Sequence, residues 1–392
     1  MRMWQRVLVD NVTSGGRHAA SAMSNMLVKT SHQLSKMIWH MQGDTMRVLS
    51  IASFYPGGES TRGVFIKDEV EGLEKLCVEV DLVAKTTLSP LGYVPFVVES
   101  IYKLLFRKYD LIHAHYVPHS ALIPAILKRK PLIVTFHGTD ANRFPWQSRA
   151  NFLLTRFVVN RSDKVVAVSE DIKNTLIDRM NVDPLKIQVI HCSGVNTELF
   201  KPIPKQHALK LTKLAASKHV VLFVGMLRAL KGIPYVLSAA QRMPDVLFVF
   251  IGRGQLKTNL KNCLIFEEKR HEDLPVWMCA ADVLVLPSES EGTPSVVLEA
   301  LACGRPVIVS DVGGCPEAVR NGRTGYVIPV GDVDALADRI KYLLDNERVR
   351  LDMGKAGRED MLERYDHMKM VKMLRRLYEA TVVEQCGQPP VS

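Results

Sequence analysis

The chain has 392 residues, 47% of them apolar and 23% charged, and a net charge of +10. That length exceeds what one hydrophobic core usually sustains, so two domains are expected, and the composition excludes a disordered or fibrous chain. No apolar run reaches the ~18–20 residues of a membrane span, and the seven cysteines form no C-x-x-C pair, which favours reduced thiols in a cytoplasmic protein over a disulfide frame or a zinc site.

Residues 1–45 carry no alternating strand pattern and read as an extension ahead of a second start at Met46; a targeting peptide is the rival reading. From Met46, short apolar runs alternate with helical stretches. The runs are Val48–Ser53, Val78–Val83, Leu111–Ala114, Leu132–Phe136, Lys164–Val168 and Ile187–Ile190, with helical patterns at Phe65–Leu76 and Asp171–Met180. Residues 46–203 therefore predict one doubly wound parallel sheet, and the polar stretch 204–218 reads as a linker. The alternation resumes at Val220–Val224, Leu247–Ile251, Cys263–Phe266, Val283–Pro287 and Pro306–Val309, so 219–358 predicts a second such domain. Two Rossmann-like domains facing a cleft follow, closed by residues 359–392 as a helix packing across both and a tail.

Charge divides unevenly. Residues 46–215 hold 23 Lys and Arg against 16 Asp and Glu, whereas residues 216–392 hold 23 of each. A basic first half suits an anionic membrane surface or nucleic acid. No aromatic-basic RNA-binding signature accompanies it, so nucleic acid is not expected. Within that half, Pro95–Arg107 mixes Phe, Val, Ile and Leu with Lys103 and Arg107, next to Lys108 and near Lys128-Arg129-Lys130. It reads either as an amphipathic surface for anionic lipid or as a core helix with a basic outer face.

The segment Ser288-Glu289-Ser290-Glu291-Gly292-Thr293-Pro294-Ser295-Val296-Val297-Leu298-Glu299 follows the strand Val283–Leu286. Pro294 suits the first helical position and Thr293 a cap. The N–H groups from Gly292 to Val296 then form an anion site at the carboxyl end of a parallel strand. Glu291 and Glu299 flank that site. Carboxylates beside a phosphate are awkward unless hydroxyls bind them, and sugar and ribose supply hydroxyls. Two solvated glutamates at a helix start are the plain alternative.

Glu291 and Glu299 enclose seven residues, and this stretch resembles the E-x7-E motif of retaining family 4 glycosyltransferases with the GT-B fold. The run Ala302-Cys303-Gly304-Arg305-Pro306 to Gly313-Gly314-Cys315-Pro316-Glu317 continues the likeness, as does Gly322-x-x-Gly325-Tyr326-Val327. The resemblance implies that Glu299 binds the donor ribose, that Glu291 contacts the transferred sugar, and that Gly292, Thr293, Pro294, Ser295 and Val296 lie by the diphosphate and sugar. It also implies phosphate binding by Lys231, in Val224-Gly225-Met226-Leu227-Arg228-Ala229-Leu230-Lys231-Gly232. The family's arginine after the first glycine is here Met226; Arg228 either replaces it or points to solvent. Phe266 falls at the base pocket, and Gly57 and Gly58 in the loop that approaches acceptor and phosphate. His137, in Thr135-Phe136-His137-Gly138, matches the histidine beside the transferred sugar.

Phe250-Ile251-Gly252-Arg253-Gly254 lacks the third glycine of a dinucleotide fingerprint and reads as a structural turn. His113, His115 and His119 read as acceptor-side or structural residues, and Asp332-Val333-Asp334 as a helix cap, not a metal motif. No metal or cofactor is expected. The implied activity is hexosyl transfer with retention from a nucleotide-sugar to a saccharide or lipid-linked acceptor, in cell-surface polysaccharide or glycolipid synthesis. The enzyme is expected in the cytoplasm, peripheral on the inner membrane face. A sugar-nucleotide epimerase of the same fold, or a non-catalytic basic binding protein, is the alternative.

Overall fold

The computed structural model describes residues 45–55, 63–85, 92–191, 194–214 and 219–386. The expected extension, apart from Thr45, lies outside the described residues, as do Gly57 and Gly58.

The first sheet contains β1 (Met46–Ala52), β2 (Val78–Ala84), β3 (Leu111–His115), β4 (Leu132–Phe136), β5 (Lys164–Ala167) and β6 (Ile187–Val189), ordered β2-β1-β3-β4-β5-β6. The second contains β7 (Val220–Val224), β8 (Leu247–Ile251), β9 (Cys263–Phe266), β10 (Val283–Leu286), β11 (Val307–Ser310) and β12 (Gly325–Ile328), ordered β12-β11-β10-β7-β8-β9. Every pairing is parallel. Runs such as Leu-Ile-Val-Thr-Phe in β4 and Val-Leu-Val-Leu in β10 are buried throughout, because helices cover both faces of a parallel sheet. In each sheet the strand order reverses beside the first strand in sequence, and a crevice opens there at the strands' carboxyl ends.

Alternation along the central strands sorts the first core into two layers. Leu49, Ile51, Ile112, Ala114, Leu132 and Val134 face one way, and Met46, Val48, Leu111 and Ile133 the other. The second layer is covered by the helix Val64–Lys75 and by a helix from the far end of the chain, His367–Cys386, through Val371, Leu374, Leu377 and Tyr378. Each of these aliphatic side chains contributes about 1.5–3 kcal/mol by leaving water.

Two sequence expectations change. The single helix expected over 359–380 is instead Glu347–Asp360 on the second domain, a wide turn Met361–Tyr365, and then His367–Cys386 on the first. The stretch 204–218 opens with a helix, Lys205–Leu211, whose Ala208 and Leu209 enter the second core. Its Lys205 Nζ lies 2.5 Å from Asp282 Oδ1, and Asp282 also accepts from Val220 N at 2.9 Å and pairs with Arg350 at 3.2 Å. The polar spacing that reads as linker is thus a helix held to a buried carboxylate.

The chain crosses between domains twice, and the crossings touch. Val195 N donates to Tyr365 O at 2.8 Å and His367 N to Val195 O at 3.0 Å. Gly194, at φ +69°, has no room for a Cβ against Tyr365 O.

Candidate functional site

The residues that the resemblance assigns to the donor are assembled by two glycine-dependent loops of the second domain. Gly232 adopts φ +77°, and a Cβ there would overlap the carbonyl of Pro287, so the loop after β7 packs on the end of β10. Glu289 N donates to Leu230 O at 2.9 Å, stitching the two loops together. Lys231 Nζ consequently lies 2.7 Å from Glu291 Oε1, which also accepts from Ser288 Oγ at 2.6 Å. The side chains of Lys231 and Glu291 are only 21% and 10% exposed, so this pair is far less screened than a surface ion pair. Gly252, at φ +155°, packs against Gly225 O where a Cβ could not fit, which accounts for that turn structurally.

The helix that follows runs Ser295–Ala302, with Pro294 at its N-cap position. Thr293 does not cap it. Its hydroxyl donates to Val168 O of the first domain at 2.6 Å, so the expected cap is spent on holding the domains together. A helix start without a side-chain cap leaves its first N–H groups without intrahelical acceptors. Gly292 has no space for a Cβ against His137 O, and a Cβ on Gly138 would come within 3.2 Å of Gly292 Cα. Gly314 N donates to Gly292 O at 2.8 Å, and the Glu317 carboxylate accepts from Glu170 N and Asp171 N of the first domain, each at 2.9 Å. The glutamate loop is therefore clamped between the domains.

Glu299 lies about one turn inside this helix, 8% exposed, and His271 Nε2 is 2.9 Å from its Oε1. Burial alone pushes the His271 pKa down, but the hydrogen bond and charge of Glu299, with Asp68, reverse that and raise it. His271 was not legible in the sequence as a site residue; only the long-range pairing identifies it. Phe266 packs against Trp277 with ring centroids 4.7 Å apart, and Lys269 lies over both rings at 5.2 and 5.5 Å. Trp277, on the helix Leu274–Ala280, was also missed. Arg228 is exposed and forms no ion pair among the described residues, and Met226 is 40% exposed. The alternative in which Arg228 points to solvent fits these facts.

On the first domain, His137 follows β4. Its backbone N–H and that of Gly138 donate to Asp140 Oδ1 at 2.9 and 2.8 Å, which shapes the turn. Burial raises the Asp140 pKa to about 7 against the lowering by those N–H groups. The His137 ring packs on Phe65 and Tyr116 at 4.8 and 4.5 Å between centroids. Burial, then His115 and His113, hold its pKa well below the usual histidine value, so it is neutral at pH 7. Beside it, a cavity of about 330 Å³ is lined by Phe54, Tyr93, Tyr116, His119, Arg143 and Phe144 among others. Glu69, His113 and His115 bring ligand-type atoms within 4.8 Å of one another. Both ring nitrogens of His113 are, however, already bonded at 2.6 Å, to Tyr378 Oη and Thr135 Oγ1, which leaves it no lone pair for coordination without breaking them. Asp332 accepts from Ala335 N at 2.8 Å and caps the helix Val333–Asp345.

Two outcomes are expected. Gly292→Ala should lower catalytic turnover by about 10²-fold, the scale of a ~1 Å misplacement, while the melting temperature stays within a few degrees of the parent. His271, with its raised pKa, contributes stability through the protonated form. That contribution is complete below the ordinary histidine pKa of ~6.5 and disappears as pH rises through the raised value. Thermal melts of His271→Ala and the parent should therefore differ more at pH 6 than at pH 9.

Two family models match the chain: Glycosyltransferase Family 4 over residues 63–199 and Glycosyl transferases group 1 over residues 208–360. An Escherichia coli UDP-Gal:alpha-D-GlcNAc-diphosphoundecaprenol alpha-1,3-galactosyltransferase is 31% identical over 310 residues, 73% of this chain and 79% of that one. An uncharacterized glycosyltransferase of Methanocaldococcus jannaschii is 30% identical over 282 residues, 69% and 75% of the two chains. Among solved structures, sucrose-phosphate synthase from Thermosynechococcus elongatus superposes with a TM-score of 0.75 at 21% identity, covering 86% of this chain and all of that one. HepE of Anabaena in complex with UDP-glucose gives 0.70 at 20% identity, with the same coverage of both chains. With its two parallel-sheet domains, its clamped glutamate loop and these relatives, the chain belongs to the family 4 glycosyltransferases of GT-B fold.

Proposed function

We propose that this enzyme transfers a hexose, with retention of the anomeric configuration, from a UDP-sugar to a saccharide or lipid-linked acceptor in cell-surface polysaccharide or glycolipid synthesis. One observation carries the reading: Glu291 and Glu299 flank an uncapped helix start at a strand's carboxyl end, with Lys231 at 2.7 Å from Glu291. In this reading the free N–H groups and Lys231 receive the diphosphate. They stabilise the negative charge it gains as the glycosidic bond breaks, so no metal is required. Glu299 accepts from the ribose, with His271 fixing its carboxylate; Glu291 and neutral His137 orient the transferred sugar; Phe266 and Trp277 line the base side. Uridine as the nucleotide is supported by the UDP-galactose relative and the UDP-glucose complex. The cavity on the first domain receives the acceptor, whose sugar ring can rest on Tyr93, Tyr116 and Phe144. Retention is consistent with front-face transfer, in which the departing phosphate takes the acceptor proton and the clamped loops exclude water.

An initial assay with UDP-, GDP- and ADP-hexoses, scored for donor hydrolysis and for transfer, is expected to select a UDP-hexose. Glu299→Ala should then raise donor Kd about tenfold or more, the loss of a hydrogen bond to a charged group. Product with the inverted anomer, or epimerised donor without any transfer, would sink the reading.

No helix of the described residues is long and apolar enough to cross a membrane. The helix Tyr93–Phe106 nonetheless leaves Val94, Val98, Tyr102 and Phe106 between 51% and 71% exposed, at four-residue spacing and hence on one face. Arg107, Lys108, Arg129 and Lys130 line a concavity at its end. Lys103 takes no part in this surface, since it pairs with Asp81 at 2.7 Å and Glu99 at 3.0 Å. We propose that this face rests on anionic lipid, bringing a lipid-linked acceptor to the cleft. Val98→Asp with Phe106→Asp should weaken binding to phosphatidylglycerol vesicles by about tenfold or more, and added salt should weaken the parent. Binding indifferent to both would remove the proposal.

A further inference from the structure

The helix Val64–Lys75 carries a buried glutamate, Glu69, that donor chemistry as described above does not use. It faces β3. Because side chains two apart on a strand share a face, His113 and His115 both turn toward it, and Glu69 Oε1 is 3.4 Å from His113 Nδ1 and from His115 Nε2. His113 is committed elsewhere, to Tyr378 Oη and Thr135 Oγ1. His115 is not. Its ring is fully buried, its Nδ1 lies 3.3 Å from His137 Nε2, and its Nε2 has no hydrogen-bond partner among the described residues, the nearest carboxylate oxygen being Glu69 Oε1 at 3.4 Å. The three groups form a line that runs from the helix, through the strand, to the histidine at the cleft.

A neutral imidazole has one N–H and one lone pair, so whatever His115 shows to one neighbour decides what it shows to the other. We propose that Glu69 and His115 are positioning residues that fix the tautomer and ring orientation of His137. In this line Glu69 accepts from His115 Nε2–H, and His115 Nδ1 accepts from His137 Nε2–H. His137 is thereby held as its Nε2–H tautomer, with the lone pair on Nδ1. The groups facing Glu69 are His113 and His115 from β3 and His367 and Tyr378 from the last helix. Burial holds His115 near a pKa of about 3, and hence neutral, which the arrangement needs. The inference rests on His137 serving the transferred sugar only for its kinetic part; the tautomer can be read without substrate.

The test is ring 1H–15N correlation spectroscopy of the full chain labelled with 15N-histidine at pH 7.5, on the parent, Glu69→Gln, Glu69→Leu and His115→Gln. The parent should show His137 as a single Nε2–H tautomer. Glu69→Gln, whose amide oxygen still accepts, should keep it. Glu69→Leu should give mixed tautomers and, once a donor is identified, reduce kcat about 10- to 100-fold with donor KM within about twofold, as for outer-shell partners elsewhere. His115→Gln perturbs the line from its middle, so one misfolded variant does not decide the matter. A His137 spectrum unchanged in Glu69→Leu and His115→Gln overturns the proposal, as does one equivalent of metal bound at Glu69, His113 and His115 in the purified protein.

Discussion

Everything at the site depends on how closely two backbones approach. Gly292 and Gly138 meet where neither can carry a side chain, and that contact sets the first domain's histidine against the second domain's glutamate loop. Thr293, Gly314 and Glu317 act around this point by hydrogen bonds that cross the gap or brace the loop. A helix start that elsewhere would be satisfied by its own threonine is here left open, because the threonine serves the interface. The uncapped helix start is therefore a by-product of domain contact as much as of local sequence.

The two carboxylates that flank this helix start are partnered from outside the motif. Lys231 reaches Glu291 from the loop after β7, and His271 reaches Glu299 from ahead of another helix. In the proposed function, a diphosphate at the helix start competes with Glu291 for Lys231. Binding and realignment of the glutamate are thus coupled through one ammonium group, and Met226 offers no second cation beside it.

Much of this architecture was legible in the sequence. Parallel strands buried on both faces are unbroken apolar runs, and Val220–Val224 or Leu132–Phe136 can mean little else. β12 escaped as a strand because it is a four-residue edge element opening on glycine. The helix Lys205–Leu211 escaped because its seven residues bury only Ala208 and Leu209. Glu291 and the Gly292 loop stood out through their place between a strand and a helix, and Lys231 through the family resemblance. His271, Trp277 and the Glu69–His115 line did not, because their partners are distant in the chain and no local pattern announces the pairing. Thr293 was misassigned for the same reason: a cap and a cross-domain donor look identical in sequence.

The paired crossings at Val195 and Tyr365 to His367 have a mechanical consequence. Two stretches of chain bonded side by side join the domains there, because Val195 exchanges hydrogen bonds with both Tyr365 and His367. Since His367–Cys386 is part of the first domain's packing, neither stretch can slide independently. Any relative movement of the domains must be accommodated at these residues, beside Gly194, whose missing side chain gives Tyr365 O its room.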